Sequence, residues 1–425
     1  MATAEAFIPA LDEYCLEHIF SFLEILDQLN VAKVCLEFKT IIKRLIVNKE
    51  FDFNTIYECT SLPFAIETFT EYGSIIKKIF MQFDAVEDMV PFYYLVPEHC
   101  HNIEEVQFNF PYYVDDEIME MMFKASKNIK VLFCNARELY DGHSLFISEL
   151  KELEALNIKE NRDVTGMHLN KLTKLKDLNI QGCTEFESKH FIDICKATKL
   201  TKLNITECLQ LDGAAFETLL ETQTDLEEIG VSHCYPNANI DIVTRLPKLR
   251  HVFIKYLCQR NGIHKESDLI NLLAKYHPDS IDTLVMTRPE NLTKALRGGV
   301  LKFKNLRKVS FLADEDLDDA FLSEISRNCT NLEEVDISES ENVTNEGIIE
   351  LVKNLQGLRR LDLRRCDQFD QSLYAKLIEV KTECNDFKHL KVFVWGTQFN
   401  QREFESCEKY LSFKKFVEVS FDFKY

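Results

Sequence analysis

The stretch C-T-N-L-E-E-V-D-I-S-E-S-E-N-V-T-N-E-G, residues 329–347, contains a spacing that recurs along most of this chain. Leu332, Val335 and Ile337 stand in an L-x-x-L-x-L pattern. This pattern predicts a short strand, because alternate side chains of a strand point to the same face. Residues 343–347 then predict a turn into a helix. The expected structural unit is therefore one strand followed by one helix.

The same three apolar positions recur at many other places in the sequence. Clear copies begin at Leu175, Leu200, Leu226, Leu249, Leu306, Leu358, Leu390 and Phe416, and weaker ones at Ile76, Ile103, Ile129, Leu153 and Ile281. Successive first positions are mostly 22 to 27 residues apart, with two steps of 32 that predict inserted loops. This spacing is typical of leucine-rich repeats, which form a strand and a helix in each unit.

A single repeat of this kind does not bury enough apolar surface to offset the entropy of ordering its backbone, so neighbouring repeats must stack. The sequence therefore predicts an α/β leucine-rich-repeat solenoid, a horseshoe with a parallel concave sheet and outer helices. About fourteen repeats are expected between residues 76 and 425. Residues 46–75 are expected to form a junction, with a short strand near residues 51–53 and a helix near residues 64–72.

The composition narrows the possible functions. The chain has 425 residues and a formal net charge of −20, which argues against nucleic acid as the main partner because phosphate binding depends on concentrated lysine and arginine. The longest apolar run, residues 89–97, is too short to span a membrane. The acidic run at residues 313–319 is expected to be a solvated start of a helix.

The fourteen cysteines show no spacing of the kind that binds zinc. Cys183, Cys208, Cys234 and Cys366 each follow the last apolar residue of a predicted strand by three positions. We expect them to be reduced, buried thiols of the repeat.

Residues 11–45 lack the repeat pattern and form a separate segment. Leu16, Ile19, Phe20 and Leu23 have the spacing of a helix core face, whereas Cys15, Phe22 and Leu26 lie on another side. Apolar residues on two sides indicate that one side packs internally and the other can meet a partner. A second apolar stripe from Val31 to Leu45 predicts one helix of almost four turns, with Asn30 as its N-cap.

This segment resembles an F-box, a motif known to precede cysteine-containing leucine-rich repeats. The matching elements, in order, are Leu11, Leu16, Ile19 with Phe20, Leu23, Asp27 with Leu29, Val34 with Cys35, and Phe38. Two positions depart from the family pattern, since Asp12 replaces a proline and Phe38 stands where tryptophan is common. Asp12 is expected to cap the first helix instead.

The resemblance implies a substrate-recognition subunit of an SCF-type cullin-RING ubiquitin ligase. In that reading residues 1–45 bind a Skp-family adaptor, and through it a cullin, while the repeats bind an unidentified target protein in the cytoplasm, the nucleus or both. The family motif implies these adaptor-binding residues: Leu11, Leu16, Ile19, Phe20, Leu23, Val34, Cys35 and Phe38. The alternative is a non-ligase scaffold whose front helices only cap the solenoid.

A catalytic or metal site is not indicated by the sequence. It contains no phosphate-binding glycine loop, no zinc-protease motif and no nucleophile elbow. His99, Cys100 and His101 are adjacent but have no second pair of ligands nearby, so no metal or other cofactor is expected. An enzyme would need a cluster of polar residues that the sequence does not reveal.

Target binding is expected on the concave sheet, at positions that face away from the core. The candidates are Phe253, Val285, Arg360, Arg364 and Val394. The three apolar residues are either anchors for a target or are covered by neighbouring side chains. The arginines either bind an acidic or phosphorylated segment or are neutralised internally by Asp336 and Asp362, and internal pairing is the favoured hypothesis.

Overall fold

The structure is a computed structural model, and it describes residues 11–47, 49–82, 94–109, 116–125, 127–135, 139–232, 235–256, 269–287, 294–383, 388–406 and 412–422. The chain divides into two compact units, residues 1–200 and residues 201–425. Each unit is a parallel sheet with helices between its strands. This is the strand-and-helix alternation that the repeat spacing predicts.

The first unit begins with three short helices, α1 (Glu13–Ser21), α2 (Ile25–Ala32) and α3 (Leu36–Val47). Asp12 caps α1 as expected, because its Oδ1 accepts a hydrogen bond of 2.8 Å from the Cys15 amide. The prediction of one helix from Val31 to Leu45 is wrong. The amide of Val34 turns back to the Val31 carbonyl at 3.1 Å, which ends α2 before α3 begins. Asn30 accordingly lies inside α2 and is not an N-cap.

The junction contains both predicted elements and one further helix. Strand β1 (Glu50–Asp52) is followed by α4 (Phe53–Cys59), α5 (Leu62–Tyr72) and a 3-10 turn (Gly73–Ile75). Phe51, Phe53 and Phe69 are buried and their rings are in contact. Glu71 on α5 pairs with Lys39 and Lys43 of α3, which attaches the front helices to the junction.

The remaining elements alternate strands and helices. In the first unit they are β2 (Lys78–Gln82), α6 (Leu95–His99), β3 (Glu105–Asn109), α7 (Asp116–Ala125), β4 (Val131–Asn135), α8 (Asp141–Ile147), β5 (Ala155–Asn157), a 3-10 turn (Leu169–Lys171), β6 (Asp177–Asn179) and α9 (Ser188–Ala197). Strands β1 to β6 pair in sequence order and in parallel.

The second unit continues with the same alternation. Its elements are β7 (Lys202–Asn204), α10 (Gly213–Thr222), β8 (Glu228–Ser232), a 3-10 helix (Ile240–Arg245), β9 (His251–Lys255), α11 (Leu269–Tyr276), β10 (Thr283–Thr287), α12 (Lys294–Val300), β11 (Lys308–Leu312), α13 (Asp319–Asn328), β12 (Glu334–Asp336), α14 (Asn345–Asn354), β13 (Arg360–Asp362), α15 (Gln371–Glu383), β14 (Leu390–Phe393), α16 (Gln401–Ser406) and β15 (Val417–Ser420). Strands β7 to β15 also pair in sequence order and in parallel.

The repeat pattern is correct for most strands, and its three apolar positions are buried. Leu332, Val335 and Ile337 are each at most 1% exposed. A left-handed residue follows the last inward position by two residues in seven repeats, and this turn ends the strand. These residues are Glu160, Gly182, Glu207, Ala313, Glu339, Arg365 and Gly396.

The pattern at Leu390, Phe393 and Trp395 is wrong by one residue. Val392, not Phe393, is opposite the inward Leu361 in the register of β13 and β14. The left-handed Gly396 likewise identifies Val394 as the last inward residue of this repeat. The sequence is ambiguous here because four successive positions from Val392 are apolar or aromatic, so either pattern satisfies the spacing.

In several repeats, a side chain three residues after the last inward position forms a hydrogen bond to the preceding repeat. The Cys183 thiol donates to the Ile158 carbonyl at 3.2 Å, and the Cys366 thiol donates to the Ile337 carbonyl at 3.3 Å. Burial raises the pKa of both thiols to about 12, so they remain protonated donors. Asn161 occupies the same position and donates to the Cys134 carbonyl at 3.2 Å. Cys208 is also buried, and Cys234 lies outside the described residues.

Asp314 occupies this linking position in the repeat of β11. Cys183, Asn161 and Cys366 supply a hydrogen-bond donor at the same position of their repeats. The side chain is fully buried, so the expectation of a solvated acidic run fails at this residue. Oδ1 accepts a bond of 3.0 Å from the Asp316 amide, and Oδ2 has no hydrogen-bond partner among the described residues. Burial raises the pKa of Asp314 to about 6.

Replacing Asp314 with asparagine supplies a donor at every pH. The pKa of Asp314 is raised from 3.8 to about 6 in the folded protein, so folding favours the protonated carboxyl. The stability that the protonated carboxyl contributes is fully present below pH 3.8 and is lost as the pH rises through 6. We therefore expect Asp314→Asn to stabilise the second unit by about 2–3 kcal/mol near neutral pH, and the gain to vanish at about pH 4. Thermal unfolding of both proteins across this pH range measures the difference.

Glu315→Gln is the matched control, since Glu315 is an exposed acid in the same turn. Its stability difference from the parent protein should not change with pH in this way. A thermal unfolding midpoint of Asp314→Asn that is at or below the midpoint of the parent protein at neutral pH would contradict the prediction.

Candidate protein-interaction surfaces

The front helices pack around a small apolar core. Leu16 and Phe20 of α1 are buried, as are Ile41 and Ile42 of α3. The Phe20 ring meets the Phe38 ring edge to face, with centroids 4.9 Å apart. Gln28 is also buried and donates through Nε2 to the Phe20 carbonyl at 2.8 Å, which fixes the end of α1 against α2.

The opposite side of α1 is an exposed apolar stripe, which we define as Leu11, Tyr14, Ile19 and Phe22. Their exposed fractions are 41%, 86%, 46% and 75%. Tyr14 and Phe22 are eight positions apart and Ile19 and Phe22 are three apart, so these residues share one side of α1, and Leu11 extends the stripe ahead of its N-cap. Val34, in the link between α2 and α3, and Leu36, the first residue of α3, are exposed as well. Exposed apolar clusters of this size are typical of protein-interaction sites.

The structure divides the eight residues expected to bind the adaptor. Leu11, Ile19, Val34 and Cys35 are exposed, whereas Leu23 and Phe38 are half-buried. Leu16 and Phe20 belong to the internal core, so a role in binding would have to be indirect. The sequence reading omitted Tyr14 and Leu36 and noted Phe22 only as lying off the core stripe. The signal for all three was an apolar residue at a helix position that the internal core does not need.

The outward positions of the second sheet form continuous rows because its strands are in parallel register. One row contains Asn204, Gly230, Phe253, Val285, Ser310, Asp336, Asp362, Phe393 and Ser420. Phe253 and Val285 are direct neighbours in this row, and each is half-buried. They face away from the core as predicted and retain accessible apolar surface.

Arg364 is not available to a target, because it forms an internal ion pair. Its Nε lies 2.7 Å from Asp362 Oδ1, and its NH2 lies 2.6 Å from Asp362 Oδ2. Both side chains are only 3% exposed. Asp336, beside Asp362 in the register, has a pKa raised by burial and then by the Asp362 charge. The favoured hypothesis of internal pairing agrees with this geometry.

Two other candidates on this sheet have different outcomes. Val394 is 1% exposed, because the shift in the repeat pattern makes it an inward residue, and the expectation that it faces a target is wrong. Arg360 faces outward with 40% of its side chain exposed, and its NH2 lies 3.6 Å from Asp362 Oδ2. It therefore remains accessible.

No metal-binding cluster of three His, Cys, Asp or Glu residues occurs in the part of the chain that the structure describes. Cys100 is buried, and burial raises the pKa of its thiol to about 12, which disfavours the thiolate that binds metals. Within the same residues, no helix combines the length and apolar character needed to cross a bilayer.

Comparison with known proteins identifies the front segment and the fold. The family model of the F-box domain matches residues 8–50. The crystal structure of the Rad7 and Elc1 complex from yeast aligns with a TM-score of 0.52 at 15% identity, covering 92% of this chain and 90% of that chain. An internalin (inlF) from Listeria monocytogenes aligns with a TM-score of 0.38 at 13% identity, covering 73% of this chain and 90% of that chain. Comparison with curated protein sequences gives no significant match.

These findings confirm two predictions. The chain carries an F-box domain at its front. Its fold is that of a leucine-rich-repeat solenoid, because the similarity to Rad7 extends over nearly the whole chain. At 15% identity the similarity establishes the fold alone.

The buried pair of Arg364 and Asp362 generates a prediction about stability. Arg364→Ala leaves a desolvated carboxylate beside Asp336, and we expect a loss of about 3–5 kcal/mol in the free energy of unfolding. The double variant Arg364→Ala with Asp362→Ala should lose less than the single one, because it leaves no unpaired charge. Denaturant unfolding of the four proteins of this cycle gives the coupling energy. A loss below about 1 kcal/mol in the single variant is the value for a solvated pair and would contradict the buried geometry.

Proposed function

We propose that this protein is the substrate-recognition subunit of an SCF-type E3 ubiquitin ligase. The F-box domain binds a Skp-family adaptor, which connects the chain to a cullin, and the repeats bind a target protein. The observation that carries this proposal is the exposed apolar stripe of α1 within the segment that matches the F-box domain. We place the encounter with the target in the cytoplasm, the nucleus or both.

The stripe also bears on the alternative of a scaffold whose front helices only cap the solenoid. A cap needs to bury one apolar side, and the front helices bury Leu16, Phe20, Ile41 and Ile42 on that side. Capping provides no reason for a second apolar side on α1. Solvent exposure of Tyr14 and Phe22 is unfavourable unless another chain covers them, so the stripe favours an adaptor.

The ionic contacts between α3 and α5 support a mechanism based on proximity. Lys33, Lys39 and Lys43 pair with Glu67 and Glu71 on α5, so the adaptor-binding helices are attached to the junction that precedes the repeats. Two binding events on one chain raise the effective concentration of the target near the adaptor's partner enzymes. In this mechanism the chain contributes binding and positioning, and no residue of it contacts the bond that is formed.

The proposed divisions of the chain follow from this mechanism. Residues 1–45 form the adaptor-binding module, residues 46–75 the junction and residues 76–425 the target-binding repeats. The F-box match extends to residue 50, so it includes the start of β1.

Ile19→Asp tests adaptor binding, and Ile66→Asp is its matched control. The two isoleucines have similar exposures, 46% and 44%, but Ile66 lies on α5 outside the stripe. Burial of an aspartate in the adaptor interface should weaken binding by about 30-fold or more, the effect of losing a central apolar contact. We expect purified Skp-family adaptor to be retained by the parent chain and Ile66→Asp, and lost by Ile19→Asp.

Circular dichroism should show that both variants retain the fold, because both positions are exposed. The same experiment with Elc1 examines a second adaptor, since Elc1 accompanies Rad7 in the similar structure. Retention of neither adaptor by the parent chain would contradict the proposal. Equal loss in both variants would contradict the stripe as the contact surface.

A further inference from the structure

A change in the charge pattern marks one site on the sheet of the second unit. The cations at the starts of strands β7 to β11 all pair with an acid of a neighbouring strand. Lys202 pairs with Glu228, Arg250 with Asp282, Arg307 with Glu333, and Lys308 with Glu334. Such cross-strand pairs neutralise the surface and stabilise the sheet.

The pattern ends at β13 and β14, where two cations stand side by side. Arg360 is directly opposite Lys391 in the register, and Lys391 forms no ion pair with a described residue. Arg359, which precedes Arg360, is exposed and also has no ion pair among those residues. Like charges at directly opposite positions of a sheet are destabilising. Stability alone therefore does not account for this arrangement.

The two cations share one aromatic ring. The Arg360 guanidinium lies 3.9 Å from the Phe393 ring centroid, and Lys391 Nζ lies 5.1 Å from it. The ring is 5% exposed, so it forms a flat apolar floor beneath both cations. Cation–π contacts hold the two side chains near the ring without supplying a negative charge.

The local charges leave room for one more carboxylate. Arg360, Arg364 and Lys391 surround the ring, and the nearby carboxylates are Asp362, Asp336 and the two acids opposite the cations on the outer strands, Glu334 and Glu418. Asp362 is already engaged by Arg364 through both of its oxygens. Glu418, opposite Lys391 on β15, lies 3.4 Å from His389 instead. Glu334, opposite Arg360 on β12, lies 3.3 Å from Lys308, so Arg360 and Lys391 have acids on their outer sides in this row and no acid between them.

We propose that Arg360 and Lys391, above the Phe393 ring, bind an acidic segment of the target protein through one of its carboxylates. This inference rests on the proposed function, because it specifies what the target-binding repeats recognise. A carboxylate accepts two parallel hydrogen bonds from a guanidinium, and the adjacent ammonium supplies the second charge. A doubly charged phosphate fits less well, since Asp336 and Asp362 lie beside the site and would repel the second charge.

The test uses the full chain without an adaptor, so that its result does not depend on ligase assembly. The probe is a fluorescein-labelled octapeptide of alternating glutamate and serine, and binding is measured by fluorescence anisotropy. We expect saturable binding that is absent for the peptide with glutamine in place of glutamate. Arg360→Gln with Lys391→Gln should weaken it by about tenfold or more, the effect of losing charged contacts.

Lys202→Gln with Arg250→Gln is the matched control, because it removes one lysine and one arginine that are paired on the same sheet. Binding should be unchanged in this control. Equal weakening in the two double variants would show attraction to the surface in general and would overturn the site. Tighter binding of the matching peptide with glutamine and phosphoserine would overturn the choice of a carboxylate.

Lys391→Glu separates binding from folding. It replaces the like-charge pair with Arg360 by one with Glu418 on β15, so the thermal midpoint should stay about the same. The glutamate peptide should no longer bind. Retained binding in this variant would overturn the proposal, whereas failure of the adaptor experiment would leave this result unaffected.

Discussion

Hydrogen bonding between successive repeats is the constraint on which the rest of this structure depends. Each strand has only three to five residues and has parallel neighbours within its unit, so no repeat can satisfy its backbone alone. Linking side chains such as Cys183, Asn161 and Cys366 add a donor from one repeat to a carbonyl of the preceding one. Cysteine suits this position because a buried thiol remains protonated, and the same requirement makes a carboxyl at Asp314 an exception.

The two faces of each strand have separate roles. The inward face must be apolar and continuous, since any gap in it would separate neighbouring repeats. The outward face is free to vary, and at the starts of β7 to β11 it carries cross-strand ion pairs that neutralise one another. Such pairs contribute little stability when exposed, but they leave no unbalanced charge for a partner. Departures from neutrality on this face are therefore informative about binding.

The two proposed partner sites differ in their physical basis. At the front, the binding surface is apolar, and its driving force is the removal of Tyr14, Ile19 and Phe22 from water. On the sheet, the site is electrostatic and is built on one aromatic ring with two cations. Ion pairs between α3 and α5 attach the front helices, which carry the apolar surface, to the junction.

The sequence by itself determined the repeat, its period and the F-box, because a period of about 25 residues and a helical apolar stripe are properties of local spacing. Three features were decided only by tertiary structure. The helix from Val31 to Leu45 is divided because the chain turns back at Val34, and spacing does not register a turn. Val394 faces inward because of the parallel register of β14 with β13 and β15. The sequence alone fits an inward Val394 and an outward Val394 equally well. Arg360 and Arg364 each stand two residues from Asp362, so spacing does not show which of them is buried with it, and the Phe393 ring reaches them only when β13 and β14 pair.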